Sequence, residues 1–78
     1  MVLLWQLCST RGIPAHCAYQ HVLPASHVIT VTVGNAKCFD EELSTEADAH
    51  AEAAYLLDHY LLQGWIDVAY RDPRIAQL

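Results

Sequence analysis

Apolar and polar residues alternate most clearly in residues 27–33, which read His-Val-Ile-Thr-Val-Thr-Val. With a period of two residues, Ile29 and Val31 face one side of an extended chain and Thr30 faces the other. β-Branched residues of this kind pack well on a pleated surface. The pattern predicts a strand with one buried face and one open face, the open face carrying Thr30 and Thr32.

Two more strands are predicted beside this one. Residues 16–23 are rich in Tyr, Val and small residues, and a Pro-Ala-Ser sequence ends that segment. The Gly-Asn pair at residues 34–35 indicates a two-residue hairpin turn, since both residue types tolerate positive φ. Residues 36–39 then return antiparallel, and the acidic run at residues 40–42 is expected to end that strand.

A short helix is predicted before these strands, over residues 2–11. Its apolar residues recur at helical spacing and are Leu3, Leu4, Leu7 and Cys8. Gly12 followed by Pro14 supplies a stop signal, because a glycine past the last turn and a nearby proline are typical of helix ends.

A second, longer helix is predicted over residues 44–62. Ser44 or Thr45 can cap its N-terminus by accepting a hydrogen bond from a free backbone N–H group. Acidic residues in its first turn suit the helix dipole. Gly64 is the expected C-terminal cap.

This second helix has two apolar stripes. One consists of Ala47, Ala51, Ala54 and Leu61, and the other of Ala49, Ala53, Leu56 and Tyr60. One stripe is enough to cover a small sheet. The surplus stripe is either part of a wide core face or a docking surface. We expect Ala51 and Ala54 to lie where the helix crosses the sheet.

The order of helix, three strands and helix predicts an α+β fold of two layers. Both helices would cover one face of a three-stranded antiparallel sheet. Seventy-eight residues suit a single domain. We assign residues 2–63 to this α-β-β-β-α two-layer sandwich and residues 64–78 to a C-terminal extension.

Charge is distributed unevenly along the chain. The net charge is −5, and six of the nine acidic residues lie between Asp40 and Glu52. No lysine or arginine occurs between Lys37 and Arg71. Because phosphate-backbone binding depends on Lys and Arg contacts, this composition argues against tight nucleic-acid binding.

With these elements in place, the sequence resembles the double-stranded RNA-binding domain (dsRBD) family over residues 2–63. The resemblance is carried by residues 4–14, by Tyr19, by residues 31–34 and by the alanines of the second helix. It implies the α-β-β-β-α fold. Members of this family grip an A-form RNA duplex by its shape.

The residues that the family uses to bind RNA are largely replaced here. The lysine cluster that opens the family's second helix aligns with Ser44, Thr45 and Asp48. Since each lost lysine removes a phosphate contact, affinity for RNA should fall steeply. The resemblance thus implies a degenerate, non-catalytic member that binds protein within an RNA-processing, RNA-editing or RNA-helicase assembly. The alternative is residual double-stranded RNA binding, without sequence specificity, through Gln6, Arg11, His27 and Lys37.

A protein partner, or a second copy of this chain, is expected at the outer edge of the third strand. Backbone N–H and C=O groups on an edge strand can pair with another chain. The expected partner-binding residues are Lys37, Cys38 and Phe39 on that strand, together with the aromatic residues Trp5, Trp65 and Tyr70. No membrane and no small-molecule substrate are implied.

The three cysteines, Cys8, Cys17 and Cys38, are odd in number and form no CxxC motif. They predict free thiols in a reducing, intracellular compartment. Cys17 and His21 would share a strand face but lie too far apart along it to hold one metal ion. The sequence therefore predicts no metal, no cofactor and no catalytic group, and it shows no signal peptide or bilayer-spanning run.

Overall fold

The computed structural model describes residues 1–68 of the chain. The elements are, in order, β1 (Val2–Cys8), β2 (Pro14–Val22), β3 (Ser26–Val33), β4 (Ala36–Leu43), α1 (Glu46–Leu62) and β5 (Ile66–Asp67). The five strands form one antiparallel sheet in the order β4-β3-β2-β1-β5. Helix α1 packs against β2, β3 and β4 on one face of the sheet.

The predicted α-β-β-β-α arrangement is wrong, because the segment assigned to a first helix is a strand. In β1, Trp5 and Leu7 are buried and Gln6 between them is exposed. A bulge between Leu3 and Trp5 shifts the register by one residue. The extra residue breaks the two-residue period, so the apolar positions imitate helical spacing. The sheet has five strands in place of three, and one helix in place of two.

A tight turn joins β1 to β2 and explains the misleading stop signal. The Ser9 Oγ accepts hydrogen bonds from the backbone N–H groups of Arg11 and Ile13 at 3.2 and 3.0 Å. Gly12 adopts φ 83° and donates its N–H to the Ser9 carbonyl at 2.9 Å. A glycine with positive φ serves a hairpin turn as well as a helix end, so this signal did not distinguish the two.

Strand β3 follows its prediction closely. Ile29 and Val31 are completely buried, and Thr30 and Thr32 lie on the opposite face. Across the Gly34 turn, β4 pairs with β3 through seven of its eight residues, and Cys38 is the extra residue of a bulge beside Val31. The acidic residues at 40–42 continue the strand and do not end it.

Helix α1 has the predicted caps. The Thr45 Oγ1 accepts a hydrogen bond from the Asp48 N–H at 3.0 Å, and Gly64 adopts φ 98° just past the helix end. The buried stripe is the one that contains Ala49 and Ala53. Ala51 and Ala54, expected at the crossing, are exposed.

The hydrophobic core lies between α1 and the sheet. Its buried residues are Trp5, Leu7, Ala15, Cys17, Tyr19, Ile29, Val31, Ala49 and Ala53. The Trp5 indole N–H donates a hydrogen bond to the Ala53 carbonyl at 2.8 Å, which ties β1 to the middle of the helix. No element within residues 1–68 packs on the other face of the sheet, as predicted for the side that carries Thr30 and Thr32.

Candidate interaction edge

The outer strand β4 is the longest edge in the described part of the chain. It pairs with β3 on its inner side, and no strand within residues 1–68 pairs with its outer side. The opposite edge differs, because β1 is covered in part by β5, which pairs through Leu7 and Cys8. An edge of eight residues presents a row of backbone donors and acceptors that can pair with another chain. We call the outer side of β4 (Ala36–Leu43) the β4 edge.

The β4 edge is positive at its start and negative at its end. The Lys37 ammonium contacts the Asp40 carboxylate at 3.1 Å, and both side chains are about half exposed. Glu41 and Glu42 make no ion pair within residues 1–68. The ion pair neutralises one carboxylate, and two remain without a cation.

The negative charge continues into the first turn of α1. The Glu46 carboxylate lies 3.4 Å from the His50 imidazole, and Asp48 stands exposed beside it. Both acidic residues are favourable at a helix N-terminus because of the helix dipole. This end of the sheet therefore has a local excess of carboxylates.

A shallow cleft lies where β4 ends. Its volume is about 290 Å³, and it is lined by Ala25, Ser26, Glu42, Leu43 and Ser44. The lining combines one carboxylate, two hydroxyl groups and two apolar side chains. We call it the β4 cleft. It lies on the side of β4 that faces β3, because Ala25 and Ser26 stand at the start of β3.

Two of the expected partner-binding residues lie exposed on β4 and one faces inward. Lys37 and Cys38 are exposed. Phe39 is half-buried and packs against the core. The Cys38 Sγ lies 3.5 Å from the Val31 carbonyl and 3.8 Å from the Tyr60 hydroxyl, which fixes the thiol against the helix side of the sheet.

This contact affects the acidity of the Tyr60 hydroxyl. Desolvation by burial raises the pKa of Tyr60 above its ordinary value of 10.0, and the neighbouring Cys38 adds to the increase. The Tyr60 hydroxyl therefore loses its proton at a more alkaline pH than an exposed tyrosine does.

Trp5 and Trp65 do not lie on β4. Trp5 is buried in the core, with 6% of its surface exposed. Trp65 is half-buried and packs edge-on against Tyr60 at 5.6 Å between ring centroids. Tyr70 lies outside the described residues. Of the five expected partner-binding residues within residues 1–68, Lys37 and Cys38 are exposed.

The residues named for RNA binding are not brought together. Gln6 is exposed on the open face of β1, and Arg11 is exposed in the β1–β2 turn. Lys37 lies three strands away from Gln6 along one row of the sheet. His27 is half-buried near the opposite end of the strands. The described residues thus form no continuous basic surface of the kind that duplex binding needs.

A group of aromatic and imidazole rings lies on the helix side of the sheet, near the start of α1. The Tyr19 Oη and the His27 Nδ1 share a hydrogen bond of 2.8 Å. The rings of His21 and His27 stack at 4.5 Å, and His50 lies 5.4 Å from Tyr19. Burial raises the pKa of Tyr19, and the nearby Glu46 carboxylate raises it further. This group was not predicted from the sequence, because its members lie on three separate elements.

The cysteines differ strongly in accessibility. Cys17 is completely buried, and burial raises the pKa of its thiol from 9.0 to about 11. Cys8 is half-buried, Cys38 is exposed, and all three are free thiols. Within residues 1–68 no three His, Cys, Asp or Glu side chains are placed to hold a metal ion.

Comparisons with protein-family models, with curated proteins and with solved structures find no match to this chain. No helix within residues 1–68 has the length and apolar character needed to cross a bilayer. The geometry of the β4 edge is therefore the main support for a functional interpretation.

The sequence indicated only the first half of the β4 edge. Residues 40–42 and the β4 cleft were missed, because an acidic run was taken as a strand end. A usable signal was present in the hairpin itself. A two-residue turn after a strand of eight residues allows a partner strand of equal length, which extends to Leu43.

Proposed function

We propose that this chain is a non-catalytic protein-interaction module that pairs through the β4 edge with an extended segment of another chain. The observation that supports the proposal most strongly is the outer side of β4, which is eight residues long and has no partner strand within residues 1–68. Main-chain pairing of this kind gives affinity through backbone hydrogen bonds, and side chains on the edge give specificity.

The proposal also includes the cellular location of the protein and the kind of assembly in which it acts. The cellular location would be a reducing, intracellular compartment, which the exposed free thiol of Cys38 supports. A role in an RNA-processing, RNA-editing or RNA-helicase assembly is supported by the sequence resemblance to the dsRBD family. The strand found at Val2–Cys8 removes the first helix on which that resemblance partly depended.

Site-specific crosslinking tests the pairing. A photoreactive maleimide is attached to Cys38 in a Cys8→Ser variant, so that the exposed thiol on β4 is the labelled position. The matched control carries Asp58→Cys with Cys8→Ser and Cys38→Ser, which moves the label to the exposed face of α1. We expect the label at Cys38 to crosslink to a defined set of partner proteins. The label on α1 should not crosslink to them.

A proline variant makes the test specific for the β4 edge. The substitution Cys38→Pro, made in a chain labelled at Asp58→Cys, places a proline on the edge strand. The partners that the label at Cys38 captures should no longer co-purify with this variant, while circular dichroism shows that the helix is intact. Identical adducts from both label positions, or unchanged co-purification in the proline variant, would show that the β4 edge is not the interface.

Titration with duplex RNA separates this function from RNA binding. At about 0.15 M salt we expect no sub-micromolar binding, since the described basic residues form no continuous surface. Sub-micromolar binding that weakens steeply with added salt would favour the RNA alternative over protein pairing.

A further inference from the structure

We propose that His21 on β2 and His27 on β3 act together as a pH-sensitive switch at one end of the sheet. As neutral rings they stack and help to hold β2 and β3 together. When both rings carry a proton they repel each other, and the two strands separate at this end. The switch does not depend on the pairing proposed for the β4 edge.

The register of the sheet places the two imidazole rings face to face. His21 pairs directly with His27 across β2 and β3, so both side chains lie on the same face as the core residues Tyr19 and Ile29. The ring centroids are 4.5 Å apart and the ring planes differ by 7°. The Tyr19 ring is nearly parallel to the His27 ring, and its hydroxyl shares a hydrogen bond of 2.8 Å with the His27 Nδ1. A rotation of His27 away from His21 would break this hydrogen bond.

The helix and β4 bring two carboxylates to this face of the sheet. On α1, the Glu46 carboxylate lies 3.4 Å from the His50 imidazole, so it already has a cationic partner whenever His50 is protonated. On β4, Leu43 lies opposite His27, and Glu41 lies on the same face two residues earlier. His50 is thus a third ring that takes up a proton, and two carboxylates face three imidazoles.

The other neighbours of the pair bring no carboxylate. On β2 the nearest titratable group is the Tyr19 phenol, and on β1 the apolar Val2 lies opposite Tyr19. The α-amino group of Met1, one residue further, makes no ion pair within residues 1–68. His21 and His27 likewise make no ion pair with a carboxylate in that part of the chain. Contact with an anion therefore does not offset the repulsion between two charged rings.

The sign of the pH effect follows from a comparison with the unfolded chain. There the two histidines are not held together, so both take up protons without this repulsion. In the folded protein the second proton is opposed, because charges 4.5 Å apart lie well inside the screening length of about 8 Å at physiological ionic strength. The unfolded state therefore binds more protons in acid. Stability falls as the pH drops through about 6.5, where imidazole ordinarily takes up a proton.

Hydrogen exchange in the full, unmodified chain tests where the protein opens. Protection factors of the backbone amides are measured by NMR at about pH 7.5 and about pH 5, with the intrinsic pH dependence of exchange removed. We expect protection in residues 20–22 and 26–28 to fall on the order of tenfold more than in residues 30–33, at the other end of β3. Equal changes in the two regions would overturn the proposal.

Matched substitutions test whether the stacked pair causes the pH dependence. His21→Phe keeps a flat ring that can stack on His27 but cannot be charged. His16→Phe makes the same change on the opposite face of β2. Unfolding equilibrium constants of the full chain are measured by urea denaturation at about pH 7.5 and about pH 5. On acidification the constant of the unmodified chain should rise on the order of tenfold more than that of His21→Phe. His16→Phe should respond as the unmodified chain does.

The other outcomes are equally decisive. The His50–Glu46 ion pair responds to pH with the opposite sign, but it is present in all three proteins and cancels in the comparison. Equal pH dependence of the unmodified chain and His21→Phe would overturn the proposal. An equal reduction in both variants would assign the effect to net charge and would overturn it too. If His21→Phe does not fold, the exchange experiment on the unmodified chain decides alone.

Discussion

Cys17 makes the free energy of unfolding depend on pH. Burial raises the pKa of its thiol from 9.0 to about 11, so the folded protein holds this proton more tightly than the unfolded chain does. The stabilisation is complete below pH 9.0 and is lost as pH rises through about 11. We expect Cys17→Ala to reduce the fall in unfolding free energy over that interval, measured by urea denaturation at several pH values.

Cys8→Ala is the control for this experiment, because Cys8 is half-buried and is not among the buried core residues. Tyr19 and Tyr60 also have raised pKa values and contribute with the same sign. Some alkaline destabilisation should therefore persist in Cys17→Ala. Identical pH profiles for Cys17→Ala and the unmodified chain would contradict the prediction.

Trp5 and Trp65 provide a matched pair of indoles. The Trp5 N–H donates a buried hydrogen bond of 2.8 Å to the Ala53 carbonyl, whereas Trp65 is half-buried and its indole makes no such bond within residues 1–68. Trp5→Phe should cost about 1–3 kcal/mol in unfolding free energy, because it removes the donor and leaves a void. Trp65→Phe should cost clearly less in the same urea melts. Equal costs would place the two indoles in equivalent environments, against the structure.

At the scale of elements, the crossing of α1 over the sheet depends on two alanines. Ala49 and Ala53 have 0% and 2% of their surface exposed, so a larger side chain there would have to displace its packed neighbours. Ala49→Leu should overpack the crossing and cost about 1–3 kcal/mol. Ala51→Leu lies on the exposed side of the same helix and should stay within about 0.5 kcal/mol of the parent. Thermal melts that rank these two variants in the reverse order would indicate that the helix is rotated about its axis relative to the structure.

For the whole molecule, the acidic edge should prevent self-association. Glu41 and Glu42 leave β4 with an excess of negative charge, and charges on edge strands oppose indiscriminate pairing. We expect the unmodified chain to sediment as a monomer at neutral pH. The double variant Glu41→Ala, Glu42→Ala should show a sedimentation coefficient that rises with concentration.

A second double variant, Glu52→Ala with Asp58→Ala, makes the same change in net charge on α1. It should remain monomeric, because it leaves the β4 edge unchanged. Self-association of both variants would assign the effect to net charge. Self-association of the unmodified chain would mean that the acidic residues do not protect the edge.

The sequence by itself determined the elements whose signals are local. The alternation in β3, the Gly34 turn, the Thr45 cap and the end of α1 before Gly64 each depend on residues close together in the chain. A two-residue period, a glycine with positive φ and a capping hydroxyl act within a few residues. These features could therefore be predicted from the sequence before the fold was known.

Only the tertiary structure decided the features that depend on distant neighbours. Val2–Cys8 is a strand because β2 pairs along it, and a bulge shifts its apolar residues into an apparently helical spacing. The Ala49–Ala53 stripe is buried because of how α1 is rotated over the sheet. The β4 edge reaches Leu43 because β3 supplies partners for Phe39 through Leu43. Short apolar runs and charged strand ends are compatible with several local structures, and long-range pairing selects one of them.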